Sequence, residues 1–445
     1  MNRMMALLCA LAAPPAMGQQ AHIDPKVDKE LPSLVTMYKE LHAAPELSHH
    51  EDKTSALVAR ELRSLGFEVT EHVGKYPDPT LKGYGVVAVM KNGPGPTVLV
   101  RADMDALPVE EQTGLPYASH VRAKDDAGVD VPVMHACGHD IHVTSLVGTA
   151  RVLASSKKDW HGTLVLLGQP AEERIDGARA MLADGLYSRF PKPDFAIALH
   201  DSAELEAGKV GYTPGYMLAS ATSVDVTIRG RGGHGAYPHA TKDPVVMAAE
   251  YVLAIQTIVS REDSPLDPAV VTVGSIHGGT KHNIIPDEVR LQLSVRAYKE
   301  EVRSHILASL DRIAKGIALA GGVPEDRAPI VKASETEVTS ATYNDLALTE
   351  RVAVAMKSAL GADNVVKLDP VMGSEDFGQL GLEHHQIPTM MFRVGAIDTD
   401  RVANSKNGGA PLPSLHSALF WPAPELTIRT GVRAMSTAVL ELMKN

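Results

Sequence analysis

The stretch TVLVRADMD at positions 97–105 decides the fold, because an apolar run of strand composition ends in two acidic residues. Short apolar runs bounded by turn residues are typical of buried strands. The turn NGPGP at 92–96 separates this run from a similar one at 84–90. Ligands bind beyond the carboxyl ends of parallel strands, so acids that follow such a strand predict a site at the sheet edge.

Outward from this stretch, predicted strands and helices alternate along the chain, which favours a mostly parallel sheet with helices on both faces. Further strands are predicted at 162–167, 194–199 and 388–394. Helices are predicted at 27–41, 54–65, 144–154, 178–186, 346–360 and 424–443.

Residues 215–334 follow a different order. Strand 223–228, helix 244–259, strands 270–276 and 289–295, helix 299–320 and a possible edge strand at 329–333 make the β-α-β-β-α-β ferredoxin-like unit. The predicted fold is therefore α/β. A larger domain formed by 19–214 and 335–445 carries a smaller α+β domain inserted at 215–334.

Composition limits the classes of partner. The chain has 445 residues and a formal net charge of -11, which argues against nucleic acid or an anionic membrane as a partner. Residues 1–18 are predicted to be a signal peptide, with Arg3 before an apolar run and the small residues Ala16 and Gly18 near its end. The expected protein is exported, periplasmic or secreted.

Side chains that can bind metal follow several predicted strands or precede the helix at 144–154, where one sheet edge would bring them together. Adjacent carboxylates in a crevice repel each other unless a cation is present. Thiolate, imidazole and carboxylate together suit zinc, manganese, cobalt or nickel. These side chains are Asp103, Asp105, Cys137, His139, Glu172, Glu173 and His200.

Other interpretations account for fewer residues. GRGGHG at 230–235 matches the dinucleotide pattern G-x-G-x-x-G, but Pro238 interrupts the chain before the helix, and Glu250 lies inside that helix. A cysteine hydrolase would pair Cys137 with a nearby histidine, yet it would leave the two glutamates and His200 without a role. An inert buried thiol leaves the same groups unexplained.

Several motifs, taken in order, resemble those of the M20 metallopeptidases. The motifs are PEL at 45–47, RADMDALP at 101–108, MHACGHD at 134–140, QPAEE at 169–173, GGHGAYPH at 232–239, NIIPD at 283–287 and MGSEDF at 372–377. The resemblance is closest to the branch of hippurate hydrolases, N-acyl-amino-acid amidohydrolases and auxin-conjugate hydrolases. It implies a phosphorylase/hydrolase-like catalytic domain with an inserted dimerisation domain, here called the lid.

The resemblance also implies a site for two divalent metal ions. Cys137 would bridge the ions, with Glu173 and His416 completing one and His139 and His200 the other. Nothing in the sequence around His416 distinguishes that residue. The metal is expected to be zinc, manganese, cobalt or nickel.

Roles for further residues follow from the same resemblance. Glu172 would be the general base, taking a proton from a metal-bridging water and delivering it to the leaving amine. Asp105 would orient the metal site. His234 would enter the partner's active site in a homodimer and stabilise the oxyanion. Asn283 and Arg296 would hold substrate, and the Arg296 guanidinium can bind a carboxylate bidentately.

The predicted function is hydrolysis of N-acyl-L-amino acids to a carboxylic acid and an amino acid. The alternatives are a metallo-carboxypeptidase or dipeptidase that uses the same site, and a non-catalytic metal-binding protein. Departures from the family pattern occur at 201–205, at 420–422 and in an apparent insertion at 401–413. They leave the predicted ligands intact, and they leave the acyl specificity open.

Overall fold

The computed structural model describes residues 17–444. Its strands are β1 (Glu68–Val73), β2 (Gly85–Asn92), β3 (Thr97–Asp103), β4 (Arg122–Lys124), β5 (Asp130–Pro132), β6 (Gly162–Gln169), β7 (Phe195–Glu206), β8 (Val210–Tyr212), β9 (Gly215–Leu218), β10 (Ser220–Arg229), β11 (Gly233–His234), β12 (Ala269–His277), β13 (Ile284–Ile285), β14 (Glu288–Ala297), β15 (Ile330–Thr339), β16 (Thr342–Asn344), β17 (Val365–Lys367) and β18 (Thr389–Ile397). Its α-helices are α1 (Met17–Ala43), α2 (Asp52–Ser64), α3 (His139–Ala154), α4 (Gly177–Ala183), α5 (Leu186–Arg189), α6 (Pro244–Thr257), α7 (Glu300–Ala320), α8 (Leu346–Leu360), α9 (Thr399–Lys406) and α10 (Pro424–Leu442).

The larger sheet has eight strands in the order β1-β2-β6-β3-β7-β18-β8-β17. Its centre, β6-β3-β7-β18, is parallel throughout, so the carboxyl ends of these strands share one edge. Helices α1, α3, α8 and α10 bury apolar side chains on one face, and α4 packs on the other. The prediction of a mostly parallel sheet covered on both faces is confirmed.

The smaller sheet has four antiparallel strands in the order β12-β14-β10-β15. Helices α6 and α7 cover one of its faces and share a separate apolar core with it. The chain order β10-α6-β12-β14-α7-β15 is the predicted ferredoxin-like unit, and the predicted fold class is confirmed. The domain boundaries at 215 and 334 stay predictions, and β15 continues to Thr339.

Three predicted elements near the site were wrong in their bounds. His200 lies inside β7, because pairing with β18 extends that strand to Glu206. His139 is the first residue of α3 instead of preceding the helix. The helix predicted at 178–186 is interrupted at Gly185, where a φ of 85° separates α4 from α5.

Strand β1 was not predicted, because its sequence, EVTEHV, mixes polar and apolar residues as edge strands often do. At the N-terminus, α1 begins ten residues before the predicted helix start at 27, as it runs from Met17. The predicted signal peptide, apart from its last two residues, lies outside the described residues. Within residues 17–444, no helix has both the length and the apolar character needed to cross a membrane.

Candidate metal centre

Asp105, just beyond β3, holds the backbone of the glutamate pair that follows β6. Its Oδ1 accepts the Glu172 N–H at 3.2 Å, and its Oδ2 accepts the Glu173 N–H at 3.0 Å. Ser48 Oγ donates to Oδ2 at 2.6 Å. Asp105 is buried, so these charge-assisted bonds hold the loop after β6 against the end of the neighbouring strand β3.

The loop that carries the glutamates makes a tight turn. Ala171 has a φ of 51°, and its N–H donates to the buried Glu51 Oε1 at 2.7 Å. A Cβ on Gly177 would lie 1.6 Å from the Pro170 carbonyl oxygen, so only glycine fits there. Left-handed backbone at a residue other than glycine persists where surrounding bonds hold it, and such residues cluster at functional sites.

The Cys137 loop turns directly into α3. Gly138 has a φ of 78°, and a Cβ there would lie 2.2 Å from Asp201 Oδ2. The next residue, His139, donates from Nδ1 to the Asp105 carbonyl oxygen at 2.9 Å. With Nδ1 as the donor, Nε2 is the nitrogen that offers a lone pair when the ring is neutral, and Nε2 is buried without a hydrogen-bond partner. A buried imidazole nitrogen in this state is a natural metal ligand.

His200 is oriented in the same way, by a hydrogen bond from Nδ1 to a backbone carbonyl. Its Nδ1 donates to the Asp201 carbonyl oxygen at 2.7 Å, and its Nε2 lies 3.6 Å from Cys137 Sγ. His416 approaches the thiol from the opposite end of the chain, with Nε2 3.3 Å from Sγ and 3.6 Å from Glu173 Oε1. The His416 N–H donates to the Ala136 carbonyl oxygen at 2.8 Å, which ties the two loops together.

The predicted ligands form two groups that share Cys137. In each of the groups Cys137-His139-His200 and Cys137-Glu173-His416, the candidate ligand atoms lie within 4.8 Å of one another. Glu172 joins His139 and Glu173 in an adjoining group, with its Oε2 3.9 Å from His139 Nε2. The structure therefore brings together all five predicted ligands and Glu172.

The charges of this cluster favour a bound cation. Burial, and then the neighbouring Glu375 and Glu173, raises the pKa of Glu172 well above its usual range. Burial also raises the pKa of Glu173 to about 7, and that of Cys137 well above its usual value. Burial lowers the pKa of His139, but Asp103 and other carboxylates outweigh this effect and leave it well above its ordinary value.

Without metal, these shifts favour the protonated forms of the acids and of His139. A divalent cation would reverse them, because an opposite charge nearby favours ionised carboxylates, a thiolate and a neutral imidazole. Thiolate, imidazole and carboxylate donors, with the unpartnered Nε2 of His139 and Oε1 of Glu173 among them, fit borderline divalent ions. The residues present fit the predicted metal site.

A buried ionic network lies next to the metal centre and supports it. Arg101 on β3 donates to Asp103 at 2.6 Å, to Glu375 at 2.7 Å and to Asp376 at 3.1 Å, and all four side chains are buried. Asp103 in turn lies 2.5 Å from Nδ1 of His142. Sequence reasoning missed Arg101 as a supporting residue, although a charged residue inside an apolar strand indicates such a network.

Beside the cluster lies a cavity of about 780 Å³. Arg296 on β14 reaches this cavity and donates from Nη1 to the Met372 carbonyl oxygen at 3.3 Å and to Ser374 Oγ at 3.0 Å. The lid thus supplies one predicted substrate-binding residue to the cavity.

His234 and Asn283 do not line the cavity within one chain. Both are exposed at the small two-stranded antiparallel sheet formed by β11 and β13, where Nδ1 of His234 accepts the Ala236 N–H at 3.0 Å. The Asn283 carbonyl oxygen accepts the Gly235 N–H at 2.9 Å. The structure therefore separates these two predicted residues from the other site residues.

Curated relatives share most of the chain's length. A hippurate hydrolase from Campylobacter jejuni is 38% identical over 76% of this chain and 82% of its own. Thermostable carboxypeptidase 2 from Saccharolobus solfataricus is 36% identical over 81% and 85%. An N-acetyl-L-cysteine deacetylase from Bacillus subtilis is 34% identical over 77% and 79%.

Solved structures agree with this relationship. A proposed aminohydrolase from methicillin-resistant Staphylococcus aureus superposes with a TM-score of 0.82 at 31% identity, covering 96% of this chain and 100% of that one. A dinuclear metal-binding peptidase of the M20 family from Bacillus subtilis gives 0.73 at 26% identity, covering 94% and 99%. The model of Peptidase family M20/M25/M40 matches residues 99–418. The chain belongs to this family and is a hydrolase, as the motifs predicted.

Proposed function

We propose that this protein is an amidohydrolase with two divalent metal ions that cleaves N-acyl-L-amino acids into a carboxylic acid and an amino acid. The observation that carries the proposal is the pair of ligand groups that share Cys137, with Glu172 directly beside them. Relatives named as a hippurate hydrolase and an N-acetyl-L-cysteine deacetylase support this substrate class.

In this proposal Cys137, Glu173 and His416 would hold one ion, and Cys137, His139 and His200 would hold the other. When bound, the ions would polarise the substrate carbonyl and lower the pKa of water. Glu172 accepts the proton of the attacking water and passes it to the leaving nitrogen. Asp105 keeps Glu172 in place through the backbone bond described above.

A second candidate is a carboxypeptidase that uses the same centre. The relative named thermostable carboxypeptidase 2, at 36% identity, favours it. The two activities differ in the group on the carbonyl side of the scissile bond. An amidohydrolase accepts a simple acyl group there, whereas a carboxypeptidase accepts a peptide.

A substrate panel separates the candidates. Protein reconstituted with Mn²⁺, Co²⁺ or Zn²⁺ is offered N-benzoylglycine, N-acetyl-L-amino acids and dipeptides with a free amine. We expect rapid release of amino acid from the acylated substrates and slow cleavage of the dipeptides. The reverse preference would establish the carboxypeptidase. Failure to hydrolyse any member would overturn the proposed activity and favour a non-catalytic metal-binding role.

We also propose that the protein forms a homodimer through the lid. Strand β12 is at an open edge of the smaller sheet, and the adjacent α6 exposes apolar side chains, with Val246 55% and Leu253 73% exposed. An open edge and an apolar patch support pairing with a second copy. Such a dimer would give His234 and Asn283, which do not line the cavity of their own chain, a site in the partner.

We further propose export from the cytoplasm, on the basis of the predicted signal peptide at 1–18. N-terminal sequencing of protein from the extracytoplasmic fraction is expected to begin at Gln19. A full-length chain retained in the cytoplasm would overturn this proposal.

A further inference from the structure

Arg393 is a cationic residue that has no role in the proposed reaction. It lies on β18 and lines the cavity beside the metal centre. Its side chain is partly buried. Among the residues whose side chains the structure describes, 23–382 and 384–444, no side chain or carbonyl group forms a hydrogen bond or ion pair with its guanidinium.

The sheet register places Arg393 next to a predicted metal ligand. In the parallel pair of β18 and β7, Arg393 is directly opposite His200. Opposite residues on neighbouring strands project from the same face of a sheet. The guanidinium therefore lies on the face from which His200 reaches the Cys137 thiol.

Other arginines around the centre have partners. Arg101 is neutralised by three buried carboxylates, and Arg296 donates to Met372 and Ser374. The groups that act electrostatically on Arg393 are Glu204, which is exposed, and Tyr298, and neither is within ion-pair or hydrogen-bond distance of it. Because burial without a partner is unfavourable for a charge, burial lowers the pKa of Arg393. A ligand that brings a carboxylate would remove this cost.

We propose that Arg393 binds a second carboxylate of the substrate, in addition to the α-carboxylate assigned to Arg296. The inference rests on the proposed function and narrows its substrate class to acyl amino acids with two acidic groups. The second group belongs either to an acidic amino-acid side chain or to the far end of a dicarboxylic acyl group. An arginine fork suits either source, since it binds a carboxylate through two parallel hydrogen bonds.

Matched acid and amide substrates test the proposal. N-benzoyl-L-glutamate is compared with N-benzoyl-L-glutamine, and N-succinylglycine with its terminal monoamide. We expect the wild type to prefer the acid in one pair by about 10- to 100-fold in kcat/KM. Arg393→Met should abolish this preference and leave the amide substrate nearly unchanged, whereas Arg393→Lys should retain part of it. The pair that shows the preference identifies which end carries the second acid.

Arg429→Met is the control for loss of charge, because Arg429 pairs with Asp28 and does not line the cavity. It should keep the preference. The proposal is overturned by a wild type that treats acid and amide alike in both pairs. It is also overturned if Arg393→Met slows acid and amide substrates equally, since that result would indicate a structural role or a contact with the α-carboxylate.

Binding separates this inference from the proposed activity. Thermal shift is measured for wild type and Arg393→Met with the same four compounds, in a background of Glu172→Gln that prevents turnover. Greater stabilisation of the parent by the acid than by the amide, lost in Arg393→Met, supports the inference even if hydrolysis is never seen. Equal stabilisation by acid and amide overturns it even if N-acyl amino acids are hydrolysed.

Discussion

The metal centre and the two-stranded sheet of β11 and β13 both carry predicted functional residues, but several of the residues are buried at the centre, whereas those at the small sheet are exposed. At the centre, Cys137 and His139 are buried, and the loops after β3 and β6 and the start of α3 hold one another by hydrogen bonds. At the two-stranded sheet of β11 and β13, His234 and Asn283 are exposed, and the hydrogen bonds described above join them to nearby backbone. One chain therefore brings the predicted ligands together, whereas the role proposed for His234 and Asn283 would require a second chain.

The largest effect is expected inside the centre, from Glu172→Gln. The amide keeps the shape of the side chain but cannot accept the proton, so kcat should fall by up to about 10⁴-fold. Metal content should stay normal in elemental analysis. The neighbouring Glu173→Gln is the matched control and should lose metal as well as turnover. Near-normal activity of Glu172→Gln would remove this residue from the role of base.

Stability should also distinguish the two regions. Arg101→Met leaves three buried carboxylates without their cation, which is expected to cost about 3–5 kcal/mol in the free energy of unfolding. Arg290→Met on the lid removes an exposed pair with Glu288 and should change stability by less than about 1 kcal/mol. Denaturant unfolding measures both variants. Equal losses would contradict the contrast between a buried centre and an exposed lid surface.

Mixing subunits tests whether His234 acts in the partner's site. His234→Ala should lower kcat by about 10²- to 10³-fold, as loss of one oxyanion donor does. When inactive His234→Ala and Glu172→Gln are mixed and reassembled, a residue acting in the partner's site should restore about a quarter of wild-type activity, since half of the dimers are mixed and each has one intact site. No recovery would show that His234 acts within its own chain.

A smaller effect is expected at Asp105. Asp105→Asn replaces one acceptor oxygen with a donor that faces a backbone N–H, so the glutamate loop should shift and activity should fall by about 10-fold. Ser48→Ala removes a single hydrogen bond to the same carboxylate and should have a weaker effect. Kinetics and metal content of both variants check this order. A larger loss in Ser48→Ala would contradict the role of Asp105 as the anchor.

Features with a local apolar pattern were predicted from the sequence, whereas features that depend on contacts between distant parts of the chain were not. Apolar strands such as β3 and β6 can be recognised from their composition, and the acids that follow them predicted that the site lies at this edge of the sheet. The polar strand β1 was missed, and His200 was placed at a strand end because pairing with β18 cannot be read from β7 alone. His416 has no local signature and came only from the family resemblance. Arg393 was missed because its neighbour across the sheet, His200, lies far away in sequence.

The most direct test of the central claim is a crystal structure of protein loaded with Zn²⁺, with anomalous data collected at the zinc edge. Two separate peaks, each about 2.3 Å from Cys137 Sγ, are predicted. One ion should be bound by His139 and His200, and the other by Glu173 and His416. A single peak, or two peaks that Cys137 does not bridge, would contradict the account of a shared thiolate.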